Sequence, residues 1–279
     1  MGKKKTWIGI GSWTYPYHCG LGEKISEELK YEPLMTPYEL IHAAADYDLR
    51  CVQICDNLPL DVYSQEELVC ISEYAKSKNV NIETGMRGAK PENINRMIEV
   101  STMVGAKLLR CVIDDVGFEP SVEETVKIFR SFLPELKKRD IVLAIENHDR
   151  LLSTEFAQIL RMLDDPHYGI VLDTTNSLSK EEPLETVLEN LAKYTVCLHL
   201  KDYTIRRAPG GVGLEIVGTP VGAGRQRVGE ILENVRMQAQ QDFSTIIEFW
   251  MPADRDISLL IEQENRWAEE SVSYLKTLI

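Results

Sequence analysis

A (β/α)8 barrel of the TIM type, an α/β fold in one domain over residues 1–279, is the fold class this sequence predicts. Eight short runs rich in Ile, Val and Leu recur along the chain. Each is apolar on both faces, as parallel strands buried on two sides must be. Amphipathic helical stretches separate them at roughly 30-residue steps, the length of one strand–helix unit. The competing doubly wound sheet would need a glycine-rich fingerprint after an early strand. Gly-Ile-Gly-Ser-Trp-Thr-Tyr, which follows the first run, neither matches that fingerprint nor opens a helix.

The strands are expected at residues 7–12, 51–55, 80–84, 108–113, 141–146, 169–173, 195–201 and 245–249. Helices are expected at 65–78, 91–104, 122–138, 155–163 and 228–240. In the first of these, Leu68, Val69, Ile71 and Ala75 share one face while Glu66, Glu67, Glu73 and Lys76 take the other. Thr154 is the expected N-cap of the 155–163 helix, and Pro166 stops it. The longest interruption runs from Tyr203 to about Gln226. It is rich in glycine, carries Arg206, Arg207, Arg225 and Arg227, and has room for a hairpin near residues 214–217.

Composition narrows the function. With 44% hydrophobic and 27% charged residues the chain suits a soluble globular enzyme, and its formal charge of −13 opposes a nucleic-acid partner. The longest apolar runs, such as 141–145, are far too short to span a bilayer. The basic start leads directly into a strand, so no signal peptide and a cytoplasmic location are expected. The six cysteines include no CxxC pair and read as reduced thiols.

In a barrel of this kind the chemistry sits at the C-terminal ends of the strands. The fifth run ends in Glu146, the sixth in Asp173, the seventh carries His199 and the eighth Glu248. Three carboxylates converging without a counter-charge would raise one another's pKa, and a divalent cation relieves that repulsion. Three oxygen ligands and one nitrogen ligand favour Mn²⁺, with Mg²⁺, Co²⁺ or Zn²⁺ as alternatives.

The runs AIENHDR, GIVLDTTNSL, VCLHLKDYTIRR, GTPVGAGRQRV and IIEFW, in that order, resemble the xylose isomerase-like sugar isomerase/epimerase superfamily. The resemblance covers essentially the whole chain. It implies one metal held by Glu146, Asp173, His199 and Glu248, with the two Glu residues as acid/base pair on opposite faces of a substrate carbon. It also implies a homo-oligomer, dimer or tetramer. Two departures from the ketose 3-epimerase pattern stand out. Asn176 replaces a His three residues after the sixth-strand Asp, and Glu-Asn-His replaces a longer Glu-x-x-Asn-Arg stretch.

The expected function is therefore metal-dependent isomerisation or epimerisation of a keto-sugar by carboxylate-mediated proton transfer. The alternative is a lyase on the same scaffold: a keto-acid decarboxylase, a dehydratase or a deglycosidase. An apurinic endonuclease is opposed by the acidic charge and by the presence of only five His. A non-catalytic sugar-binding protein would not need two opposed carboxylates. His148 is a further candidate base or a residue that orients Glu146. Lys201, Asn147, Asn176, Arg206 and Arg225 are candidate substrate contacts, and Trp13, His18 and Trp250 candidate walls for a sugar ring.

Overall fold

The computed structural model describes residues 2–21, 31–252 and 256–279. Eight parallel strands close a barrel: β1 (Thr6–Gly11), β2 (Cys51–Ile54), β3 (Asn81–Arg87), β4 (Leu108–Val112), β5 (Val142–Glu146), β6 (Tyr168–Asp173), β7 (Thr195–Leu200) and, after an inserted hairpin, β10 (Phe243–Ile247). β10 pairs with β1 to complete the ring, from Thr6 opposite Phe243 to Ile10 opposite Ile247. The lumen at β1 is tight. A Cβ on Gly9 would lie 2.6 Å from Ile246 Cδ1 and 2.9 Å from the Cys51 carbonyl, so glycine is required there.

The helices form the outer layer: α1 (Pro37–Asp46), α2 (Gln65–Ser77), α3 (Pro91–Val104), α4 (Val122–Arg139), α5 (Ser153–Leu163), α6 (Leu184–Leu191), α7 (Val228–Gln238) and α8 (Ile257–Leu275). Their apolar stripes pack on the barrel's outer face, with Leu40, Leu68, Ile94, Phe129 and Leu191 fully buried. Ser64 and Ser121 open α2 and α4 with reciprocal Ser–Glu caps to Glu67 and Glu124.

One cap differs from the sequence expectation. Helix α5 begins at Ser153, with Leu152 rather than Thr154 at its cap. The Leu152 N–H is taken by Glu155 Oε2 at 2.8 Å, and Ser153 donates its N–H and hydroxyl to Glu182 at 2.8 and 2.7 Å. A nearby acid, Glu155, and one far along the chain, Glu182, thus share the capping.

The long interruption after β7 is mostly an antiparallel hairpin, β8 (Asp202–Arg207) with β9 (Leu214–Thr219), running from Asp202 opposite Thr219 to Arg207 opposite Leu214. Asp202 ties its base down. Oδ1 accepts the N–H groups of Tyr203 and Gln226 at 2.8 and 3.0 Å, and Oδ2 those of Gly222 and Gly224 at 3.0 and 2.9 Å. A Cβ on Gly224 would sit 2.2 Å from Asp202 Oδ1, so this wrap needs glycine. Among the described residues no helix is long and apolar enough to cross a membrane.

Candidate functional site

The strand ends bring the four predicted ligands together. Glu146 and Asp173 are the last residues of β5 and β6, His199 lies in β7 directly opposite Asp173, and Glu248 follows β10 by one residue rather than lying within it. All four are buried. His199 Nδ1 lies 3.5 Å from Glu146 Oε2, 3.3 Å from Glu248 Oε1 and 3.9 Å from Asp173 Oδ2. Glu146, Asp173 and His199 offer donor atoms within 4.8 Å of one another; Glu248 falls outside that group.

The donors suit a divalent cation. Ligand atoms about 2.1 Å from a small hard cation lie at most about 4.2 Å apart, close to the observed spread. His199 Nδ1 and Glu248 Oε1 are buried and face each other at 3.3 Å without a well-aligned hydrogen bond, so a shared cation satisfies both. The remaining oxygens are already engaged. Asp173 Oδ1 accepts the backbone N–H groups of Thr175 and Asn176 at 2.8 and 2.9 Å, leaving Oδ2 to face the cluster. Asn176 Nδ2 donates to Glu146 Oε1 at 2.8 Å.

Two buried cations enter the same cluster. Lys201 Nζ bonds Asp173 Oδ2 and lies 2.7 Å from Glu248 Oε2. Arg110, from the middle of β4, bonds Glu146 Oε2 through Nε and Asp56 Oδ1 through Nη1 at 3.0 Å. These charges govern the ionisation of the site. Burial alone would raise the Glu248 pKa, but His199 and Lys201 overcome it and hold the carboxyl at about 2. For Glu146 burial is likewise outweighed, by Arg110 and then His199, and its pKa falls well below the carboxylate range. His199 is pushed the other way, well above the usual imidazole value, because Glu248 and Glu146 outweigh its burial.

The other sequence candidates divide. Lys201, Glu146, Glu248, His148, Trp13 and Trp250 line one cavity of about 340 Å³ at the barrel mouth. His148 is tied there between Asp149, at 2.9 Å from Nδ1, and Arg87, whose Nη2 lies 3.3 Å from Nε2. Asn147 lies beneath. Its Nδ2 donates to the Asp173 carbonyl at 3.0 Å and its Oδ1 accepts the Asp173 N–H at 2.7 Å, lacing β5 to β6. His18 is turned to Glu264 of α8, at 2.6 Å from Nδ1, and does not line the cavity. Arg206 is exposed on the hairpin and paired with Glu215 at 2.6 Å. Arg225 lines a second groove of about 560 Å³ beside α6 and α7, along with Tyr203 and Arg227, whose inner end reaches Asp173.

Sequence reasoning passed over Arg110, Arg87, Asp56 and Gln53. Gln53 Oε1 accepts from His199 Nε2 at 2.7 Å, and Arg87 lines the cavity at the end of β3. The available signal was a charged or amide side chain inside an apolar strand, as in Leu-Leu-Arg-Cys-Val and Cys-Val-Gln-Ile.

Residues 39–278 match the family model described as xylose isomerase-like TIM barrel. The chain belongs to that family. A curated relative, the 3-oxo-isoapionate decarboxylase of Pectobacterium atrosepticum, is 24% identical over 270 residues, covering 97% of this chain and 96% of the relative. Among solved structures, the D-psicose 3-epimerase of Clostridium cellulolyticum H10 superposes with a TM-score of 0.69 at 14% identity, covering 97% of each chain. The IolI protein, crystallised with a bound zinc atom, gives a TM-score of 0.63 at 14% identity, over 96% of this chain and 98% of its own. The chain is thus similar in sequence to a protein named as a decarboxylase and in fold to one named as an epimerase.

Proposed function

We propose that this protein is a metal-dependent lyase that decarboxylates a small 3-oxo sugar acid. One observation carries the reading: both carboxylates placed to shuttle a proton, Glu146 and Glu248, are engaged by the buried cations Arg110 and Lys201. Epimerisation requires a carboxylate free to take a proton from carbon, with a pKa near the working pH. Ion-paired carboxylates are weak bases, and the same cations serve decarboxylation directly.

In that reaction the bond between the carboxylate carbon and its neighbour breaks and CO₂ departs. The electron pair moves toward the adjacent carbonyl oxygen, and a proton from solvent then fills the carbon. The chemical demand is for positive charge beside the carbonyl oxygen. A divalent cation on Glu146, Asp173, His199 and Glu248 supplies Lewis-acid polarisation when bound. Lys201 and Arg110 hold the carboxylates in place and add fixed positive charge at the cavity floor. Arg87 brings a further cation to the cavity, suited to an acidic substrate. Trp13, Pro16, Leu21, Phe249, Trp250 and Met251 add a largely apolar lining to the same cavity, which sheds water from a departing carboxylate. The near full-length similarity to a 3-oxo acid decarboxylase supports the same assignment.

A second reading, keto-sugar epimerisation or isomerisation, draws on Glu146 and Glu248 both approaching His199 Nδ1, at 3.5 and 3.3 Å. One experiment separates the two. Mn²⁺-loaded protein is incubated in D₂O with carboxyl-¹³C-labelled 3-oxo sugar acids and, separately, with neutral ketoses. The proposal expects ¹³CO₂ release and deuterium at the carbon that lost it. Deuterium entering a ketose with no carbon–carbon cleavage would select the epimerase, and inertness toward both classes would overturn both readings.

A further inference from the structure

Beneath the metal ligands, inside the barrel, lies a polar chain that the reaction does not use directly. Gln53 and Glu83 sit side by side in register on β2 and β3 and are both buried. Gln53 Nε2 donates to Glu83 Oε2 at 3.0 Å, and Gln53 Oε1 faces His199 Nε2 at 2.7 Å. The Cys55 thiol also donates to Gln53 Oε1, at 3.4 Å.

We propose that Gln53 and Glu83 are positioning residues that select which nitrogen His199 presents to the metal centre. A carboxylate oxygen accepts only, so the end of the Gln53 amide turned toward Glu83 must be the NH₂ group. The other end, next to His199, is then the carbonyl oxygen, and the Cys55 thiol reinforces that orientation. Because an amide oxygen also only accepts, His199 Nε2 must carry a hydrogen. Nδ1 is then the nitrogen that faces Glu146, Glu248 and Asp173, and its hydrogen is the one a bound cation would displace.

The reverse arrangement would close the site. With the amide flipped, its NH₂ group would meet Nε2 and the ring hydrogen would move to Nδ1, among the carboxylates. Glu83 is kept at a cost, since burial pushes its carboxyl pKa up. An apolar side chain would fill that position more cheaply if packing were its sole role.

This inference rests on reading the cluster as a metal centre, so its first test is made on metal-free protein. In ¹⁵N and ¹H NMR of histidine-labelled protein at a fixed pH near neutrality, His199 is expected to hold a hydrogen on Nε2 whose ¹H signal lies downfield through its bond to Gln53 and moves upfield in Gln53→Leu. If Nε2 loses its hydrogen while Nδ1 keeps one, the proposal is overturned, whether or not any metal binds. The second test is Mn²⁺ affinity by calorimetry. Gln53→Leu and Glu83→Leu should each weaken binding by about 10–100-fold, and the double variant should lose little more. Glu83→Gln, nearly isosteric and remote from His199, guards against misfolding. It permits the amide to flip, so a mixed ¹⁵N pattern at His199 is expected in a protein with an unchanged melting temperature. Wild-type Mn²⁺ affinity in folded Gln53→Leu and Glu83→Leu would also overturn the proposal. If wild-type protein binds no metal yet holds Nε2 protonated, the metal-centre reading fails and the positioning by Gln53 stands.

Discussion

Arg110 reaches Glu146 from β4 while Lys201 reaches Asp173 and Glu248 from the end of β7, so each carboxylate at the barrel mouth has a cation beside it. Repulsion among the acids is therefore relieved in part by the chain's own side chains, not by a metal alone. Lys201 shares Asp173 Oδ2 with the cluster that would hold a cation, so ammonium and metal compete for one oxygen. Lys201→Met should then bind Mn²⁺ at least as tightly as wild type while kcat falls by at least about a hundredfold. Calorimetry and a CO₂-release assay check the two halves. Weakened Mn²⁺ binding, or turnover near wild type, would contradict this role. The four ligand candidates were legible because each lies at or near the C-terminal end of a strand-like run. Arg110 was not, because a strand apolar on both sides does not say which side is the lumen. Its partner Glu146 lies one strand over and 36 residues on.

At the scale of elements, the turn between α5 and β6 shows charge fixing a connection. Burial would raise the Asp165 pKa. Lys137, at 2.7 Å, and the N–H and Nδ1 of His167, at 3.1 and 2.9 Å, overcome it and lower the value from 3.8 to about 2. A carboxyl whose folded pKa is depressed contributes stability that is present above its unfolded pKa and lost as pH falls through the folded one. Asp165→Asn should therefore melt lower than wild type at pH 7, with the gap closing between about pH 4 and pH 2. A gap independent of pH would point to packing instead. The same elements mark what sequence pattern can carry. Periodicity located every barrel strand to within a few residues, because a buried parallel strand is a local signal. The start of α5 and the base of the hairpin depend on Glu182 and Asp202, whose hydrogen bonds span 20 residues or more, and no local pattern encodes those.

For the whole molecule, the closed parallel barrel gathers groups from strands that are distant in sequence onto one rim, and the segments after β1 and β10 complete the cavity wall. The chain's charge of −13 disfavours an anionic ligand at long range, so recognition of an acid has to rest on the local set of Arg87, Arg110 and Lys201. The proposed decarboxylation requires this rim to be a metal centre built on Glu146, Asp173 and His199 and completed by Glu248. Anomalous diffraction from crystals grown with Mn²⁺ tests it most directly. One strong peak is expected, bonded to His199 Nδ1 and to oxygens of Glu146, Asp173 and Glu248, with Gln53 still holding Nε2; EDTA should remove both the peak and the activity. A peak elsewhere, or full occupancy of the rim by Lys201 and Arg110 at saturating Mn²⁺, would contradict it.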